Sequence, residues 1–154
     1  MTKQNELQKE FVDKGESFFK LHDRGYYNLA MRFGKCKTTI DLLGRMFGYD
    51  CTILIAYPDV KIKDSWEADF ETRGYYNPNI TYTTHLSLKK YVDFEYDVII
   101  IDEIHLLSDA QLDAANELFR YNQCVLGLTG TLSGATEQEI EERLDLHVIA
   151  HYPI

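Results

Sequence analysis

The stretch Val98-Ile99-Ile100-Ile101-Asp102-Glu103-Ile104-His105 sets two carboxylates and an imidazole at the end of an apolar run. Consecutive β-branched residues read as a strand buried on both faces, which places Asp102 and Glu103 at its carboxyl end. In that position an aspartate can hold Mg2+, directly or through water, while the neighbouring glutamate polarises a water for attack on a phosphate. A buried strand followed by a solvated acidic turn explains the same letters, so the reading depends on what else the chain carries.

A phosphate-binding turn is the natural complement, and Ala30-Met31-Arg32-Phe33-Gly34-Lys35-Cys36-Lys37-Thr38-Thr39-Ile40 has the makings of one. A glycine between strand and helix lets backbone N–H groups wrap a phosphate, with a lysine and a helix N-terminus facing its charge. Two registers fit. Gly34-Lys35-Cys36 keeps the glycine and lysine but puts a thiol where a hydroxyl normally reaches Mg2+. Cys36-Lys37-Thr38 keeps lysine and hydroxyl but loses the glycine. The following Lys37-Thr38-Thr39-Ile40-Asp41-Leu42-Leu43 resembles the apolar spacing that follows Gly-Lys-Thr in many superfamily 2 motors, and that resemblance favours the first register, with Lys35 as the phosphate lysine. Mg2+ favours hard oxygen ligands, so Cys36 would hold it weakly or through water, with Thr38 or Thr39 as substitutes. A third element, Gly127-Leu128-Thr129-Gly130-Thr131, closes another apolar run with hydroxyls around a glycine, which can link neighbouring loops by hydrogen bonds.

Taken in order, these segments resemble the motor core of superfamily 2 helicases and translocases. The loop at Lys35 is similar to a degenerate Walker A motif, and Asp102-Glu103-Ile104-His105 looks like the Asp-Glu-x-His form of Walker B, in the DEAD/DEAH style. Thr129-Gly130-Thr131 resembles motif III. Ile53-Leu54-Ile55-Ala56-Tyr57-Pro58 followed by Trp66 and Asp69 is similar to motif Ia of Swi/Snf-type and restriction-enzyme motors. The resemblance spans residues 8 to 131. It implies a RecA-like lobe that binds ATP and Mg2+. Lys35, Asp102, Glu103 and His105 would be its catalytic residues, and Asp102 with Cys36 its metal positions. Gln8, Arg32, Phe33, Gly34, Cys36, Lys37, Thr38, Thr129 and Thr131 would join Lys35 around the nucleotide. Gln8, or less favourably Gln4, would read adenine; a solvated helix glutamine is the plain alternative. Trp66 reads as core packing in preference to a base-stacking platform, and Ile80 to His85 as a strand and helix cap or a backbone-contacting turn.

The elements that must position these groups follow from hydrophobic periodicity. A helix is expected over residues Leu7 to Leu21, and further helices at Lys37 to Phe47, Lys61 to Phe70, His85 to Tyr91 and Ser108 to Tyr121. Strands are expected at Tyr27 to Met31, Thr52 to Ala56, Ile80 to Thr83, Asp97 to Ile101 and Cys124 to Leu128. Ser108 with Gln111, and Thr136 with Glu139, have capping-box spacing. After Thr131 come one capped helix and a short apolar stretch, Leu146 to Tyr152. Such alternation predicts an α/β fold: a three-layer, mostly parallel, doubly wound sheet with ligands at the strands' carboxyl ends.

At 154 residues and 45% hydrophobic content the chain suits one well-filled domain, 1–154, and no internal repeat or linker divides it. The family's second RecA-like lobe is therefore expected in a missing part of the chain or on another protein. That lobe supplies arginines which Arg120 and Arg143 are not expected to replace. Twenty-five acidic against 16 basic side chains, a formal charge of −9, oppose general affinity for a polyanion. Any grip on nucleic acid, duplex DNA in preference to RNA by the proline-tryptophan arrangement, must be local or supplied by another chain. No run reaches membrane-spanning length and the polar start lacks a secretory core, so a cytoplasmic protein is expected, in the host cell if viral. Cys36, Cys51 and Cys124 lack metal-ligand spacing and read as reduced thiols. The competing function is a helicase-like module that binds nucleotide or a protein partner without significant turnover. A small nucleotide kinase is disfavoured because no lid segment is evident.

Overall fold

A computed structural model describes residues 3–30, 34–122, 124–130 and 133–152. Helices α1 (Lys3–Phe19), α2 (Lys35–Phe47), α3 (Lys61–Thr72), α4 (Asp109–Arg120) and α5 (Gly134–Leu144) are interleaved with six strands. The strands are β1 (Arg24–Leu29), β2 (Ile53–Tyr57), β3 (Ile80–Thr84), β4 (Val98–Ile101), β5 (Val125–Thr129) and β6 (His147–Tyr152). They form one sheet in the order β3-β2-β4-β5-β1-β6, every pairing parallel. The expected three-layer α/β architecture is thus observed.

Period-two side-chain alternation splits the core between the two faces. Tyr27, Leu29, Ile53, Ile55, Ile100 and Leu128 pack against Phe11 and Val12 of α1, Leu42 and Leu43 of α2, and Trp66 and Phe70 of α3. Tyr26, Leu54, Ile99, Ile101 and Val125 face the other way, onto Leu112, Leu118 and Phe119 of α4 and Ile140 and Leu144 of α5. Burial on both faces explains why the central strands are apolar on successive residues.

Several boundaries differ from expectation for identifiable reasons. β1 begins at Arg24, three positions before the apolar residues start to show it, because Arg24 and Gly25 pair with Val125 and Leu126 of β5. A side chain at Gly25 would lie 2.4 Å from the Phe18 ring. The strand ends at Leu29, and Met31 lies outside the described residues. α1 starts earlier and stops before Leu21, which is exposed. Residues His85–Tyr91 form a 3-10 helix, burying His85 and Leu88 at the three-residue spacing that such a turn eclipses. Ser108 caps α4 with a full capping box. At α5 the cap is Ser133, whose Oγ accepts the Thr136 N–H at 3.2 Å; Thr136 is an acceptor's partner there and does not start the helix. The apolar stretch after α5 becomes the edge strand β6, with a register irregularity opposite Tyr26 and Tyr27. Among the described residues no helix is long and apolar enough to cross a membrane.

Candidate functional site

Strand order decides which loops meet. β5 lies between β1 and β4, so the segments leaving the carboxyl ends of these three strands are neighbours. After β1, Gly34 adopts φ 68°, ψ 62° and leads into α2. Glycine suits this left-handed position, and an added Cβ would also lie 2.7 Å from Gln8 Nε2. Lys35, the first residue of α2, is 8% exposed, and its Nζ donates to Glu103 Oε1 at 2.8 Å. After β5, Gly130 comes so close that a Cβ there would stand 2.9 Å from Leu29 O and 3.8 Å from Lys35 Nζ.

The acidic turn after β4 is held from several elements. Asp102 is buried; its N–H donates to Ala56 O at 2.8 Å and its carbonyl accepts from His85 Nε2 at 2.8 Å. Its Oδ1 accepts the Glu103 N–H at 2.9 Å, and its Oδ2 accepts the Trp66 indole N–H at 3.0 Å. Burial pushes the Asp102 carboxyl above the ordinary carboxylate range, opposed chiefly by the nearby Lys35 ammonium. Glu103 takes φ 50°, an uncommon conformation for a residue with a side chain. From there its two oxygens reach Lys35 and, at 3.4 Å, His105 Nε2.

His105 Nδ1 in turn lies 2.7 Å from Thr129 Oγ1 at the end of β5. Burial lowers the pKa of His105, so the ring is neutral at pH 7. In the tautomer that carries its proton on Nε2, toward Glu103, Nδ1 would accept from the threonine hydroxyl. The result is a continuous chain, Lys35 to Glu103 to His105 to Thr129, joining the ends of β1, β4 and β5.

A cavity of about 410 Å³ opens beside this chain, walled by Gln4 and Gln8 of α1, Gly34 to Lys37, Asp69, Asp102 and Glu103. The sequence-predicted Gln8, Gly34, Lys35, Cys36, Lys37, Asp102 and Glu103 are therefore together. Lys35 is buried against the acidic turn whereas Lys37 is exposed. Thr129 does not line the cavity and touches His105 instead. Thr38 is fully buried with its hydroxyl unpartnered, and Thr39 donates to Lys35 O at 2.8 Å. Burial, with Asp102 and Asp69 nearby, pushes the Cys36 thiol far up, so it is a neutral S–H. Arg32, Phe33 and Thr131 lie outside the described residues.

Among the described residues no group of three or more His, Cys, Asp or Glu side chains could cage a metal ion. Two carboxylates next to a lysine fit a different arrangement: a cation that keeps most of its waters and shares a phosphate, which is how Mg2+ is usually bound. The left-handed glycine, helix start and buried lysine fit the phosphate. A larger cleft of about 680 Å³ at the opposite, amino ends of the strands is bounded by Phe19, Thr52, Tyr96 and Cys124 and by exposed acidic side chains. It includes none of these groups.

Two participants escaped the sequence reading. Trp66 is core packing, as expected, but also donates to Asp102; His85 is a buried ring anchored to the same residue's carbonyl. Spacing along the chain carries no sign that an indole N–H thirty-odd residues upstream aims at that carboxylate.

No family model and no curated protein matches the chain. Its fold is shared with parts of solved helicase, SWI2/SNF2 ATPase and restriction-modification enzyme structures. The UvsW helicase from bacteriophage T4 superimposes with a TM-score of 0.72 at 16% identity, over 93% of this chain and 58% of that one. The type ISP restriction-modification enzyme LlaGI, as a nuclease-deletion mutant with a DNA substrate mimic, gives 0.73 at 15% identity, over 96% of this chain and 19% of LlaGI. The Sulfolobus solfataricus SWI2/SNF2 ATPase core in complex with double-stranded DNA gives 0.67 at 18% identity, over 84% and 33%. At these identities the likeness is one of fold, and this chain spans less than two thirds of each of those proteins.

Proposed function

We propose that this chain is the ATP-binding lobe of a superfamily 2 DNA helicase or translocase, completed by a second RecA-like lobe. The observation that carries the reading is the Lys35–Glu103–His105–Thr129 chain beside a cavity walled by a left-handed glycine and Asp102. Gly34 and the first turn of α2 would cradle the phosphates, and Lys35 would neutralise them. Asp102, with Cys36 nearby, would hold Mg2+, and Gln8 would lie toward the base. Bound Mg2+ would supply charge neutralisation at the β- and γ-phosphates.

In this scheme Glu103 orients the attacking water and takes up its proton, which requires that it exchange Lys35 for the water as Lys35 turns to phosphate. His105 couples that carboxylate to Thr129, so a change at the nucleotide alters the loop after β5. By the family resemblance, Arg32, Phe33 and Thr131 would also serve the nucleotide. The second lobe would add arginines, an effect of about 10³ to 10⁵ in related NTPases, so turnover by this lobe alone is slow. With 25 acidic against 16 basic residues, DNA would be gripped locally, at the segments following β2 and β3, together with the second lobe. Duplex DNA is favoured because the LlaGI and SWI2/SNF2 structures hold DNA or its mimic.

Steady-state ATP hydrolysis tests this directly. Slow turnover that disappears in both Lys35→Ala and Glu103→Gln supports it. Turnover undiminished by both substitutions contradicts it, and nucleotide binding with no measurable turnover in the presence of a second lobe would make the chain a nucleotide-binding module.

A further inference from the structure

We propose that Trp66 is a positioning residue for Asp102, its indole N–H fixing the carboxylate in the orientation from which the turn after β4 meets a nucleotide-bound cation. The inference rests on the reading of the cavity as an Mg2+-nucleotide site. Trp66 is fully buried on α3, ring-packed on Phe70 at 5.8 Å between centroids, and gives its N–H to Asp102 Oδ2 at 3.0 Å. An indole can only donate, so the polarity of this bond is settled: Asp102 must accept.

Every polar atom of Asp102 is then engaged. The N–H goes to β2, the carbonyl to His85, Oδ1 to the next backbone N–H and Oδ2 to α3. Two donors from different elements pin the carboxylate about its side-chain torsions. Each oxygen keeps one lone pair for a cation or its water shell. The second donor has a further consequence, because burial alone disfavours a charged carboxylate at this position and donated hydrogen bonds offset that cost. Outer partners that hold a metal-binding carboxylate commonly change metal affinity by about 10- to 100-fold when removed.

Trp66→Phe keeps an aromatic ring against Phe70 and deletes the N–H. The test is calorimetry of AMP-PNP binding at graded Mg2+, for the unaltered chain and for this variant. The expected result is Mg2+-free affinity within about twofold of the unaltered chain, since Lys35 is untouched, with half-saturating Mg2+ raised about tenfold. A double substitution, Trp66→Phe with Asp102→Ala, should bind Mg2+-AMP-PNP no worse than Asp102→Ala alone.

An unchanged Mg2+ dependence in Trp66→Phe overturns the proposal whatever happens to its thermal midpoint, because a residue that only fills the core would behave that way. A second measurement does not require the variant to fold: Trp66 is the chain's only tryptophan, so its emission in the unaltered chain should shift when Mg2+ joins bound AMP-PNP. No shift overturns the proposal. If the unaltered chain binds no AMP-PNP at millimolar concentration, the nucleotide reading itself falls and takes this inference with it.

Discussion

Replacing Glu103 with glutamine should strengthen nucleotide binding while removing turnover, an opposition that follows from the Lys35–Glu103 contact. Before nucleotide arrives, Lys35 Nζ is 2.8 Å from Glu103 Oε1, with the side chains 8% and 27% exposed respectively. The lysine must loosen this bond to serve a phosphate. Glutamine keeps the shape and an acceptor oxygen but not the charge. A hydrogen bond to a charged acceptor contributes about 1.5 to 3 kcal/mol against about 0.5 to 1.5 for a neutral one, and the exposed side of Glu103 places the difference near the low end, about 1 kcal/mol. That is about fivefold in affinity. Loss of a carboxylate facing the phosphates acts in the same direction. Hydrolysis loses its base, about 10²- to 10⁴-fold. Calorimetry with AMP-PNP at about 0.15 M salt, close to physiological screening, gives the first quantity and single-turnover hydrolysis the second. Equal or weaker binding in Glu103→Gln, or turnover within a few-fold of the unaltered chain, would refute the argument.

Other substitutions probe the scaffold and the relay. Gly15→Ala should lower the thermal midpoint by several degrees, a loss of about 2 kcal/mol, because its Cβ would stand 2.2 Å from Tyr27 Oη. That hydroxyl cannot yield, being buried and bonded to Phe11 O at 2.6 Å. Thr129→Val keeps the volume and deletes the hydroxyl that faces His105, so stability should fall about 1 kcal/mol while Mg2+-nucleotide affinity stays within about twofold; a large affinity loss would move Thr129 into the pocket. Cys36→Thr puts a hard oxygen where a neutral thiol now lines the cavity and should raise hydrolysis in the presence of a second lobe, with an unchanged rate excluding Cys36 from the metal's surroundings.

The legibility of this molecule followed from how locally each feature is encoded. β4 announces itself because four consecutive β-branched residues buried on both faces leave no other pattern, and Asp102 and Glu103 inherit their place from its end. The alternation of strands with amphipathic helices likewise carries the three-layer architecture. Less visible was whatever depends on a partner distant in sequence. Arg24 and Gly25 are strand residues only because β5 pairs with them, and β6 is a strand only because β1 offers an edge. Ser133 caps α5 in a run where Thr136 has the same chemistry three residues later, a choice made by backbone course. The hydrogen bonds from Trp66 and His85 to Asp102 depend on α3 and the segment after β3 both folding over β4, which no local spacing reports.

The central claim, that the turn between β1 and α2 holds the phosphates of a nucleotide through Lys35, is tested most directly by calorimetry of ATP with Mg2+ on the unaltered chain, Lys35→Ala and Lys37→Ala. The account predicts that binding is lost in Lys35→Ala and kept in Lys37→Ala, whose lysine is exposed. Loss in Lys37→Ala with Lys35→Ala unaffected, or no binding by the unaltered chain at millimolar ATP, would contradict it.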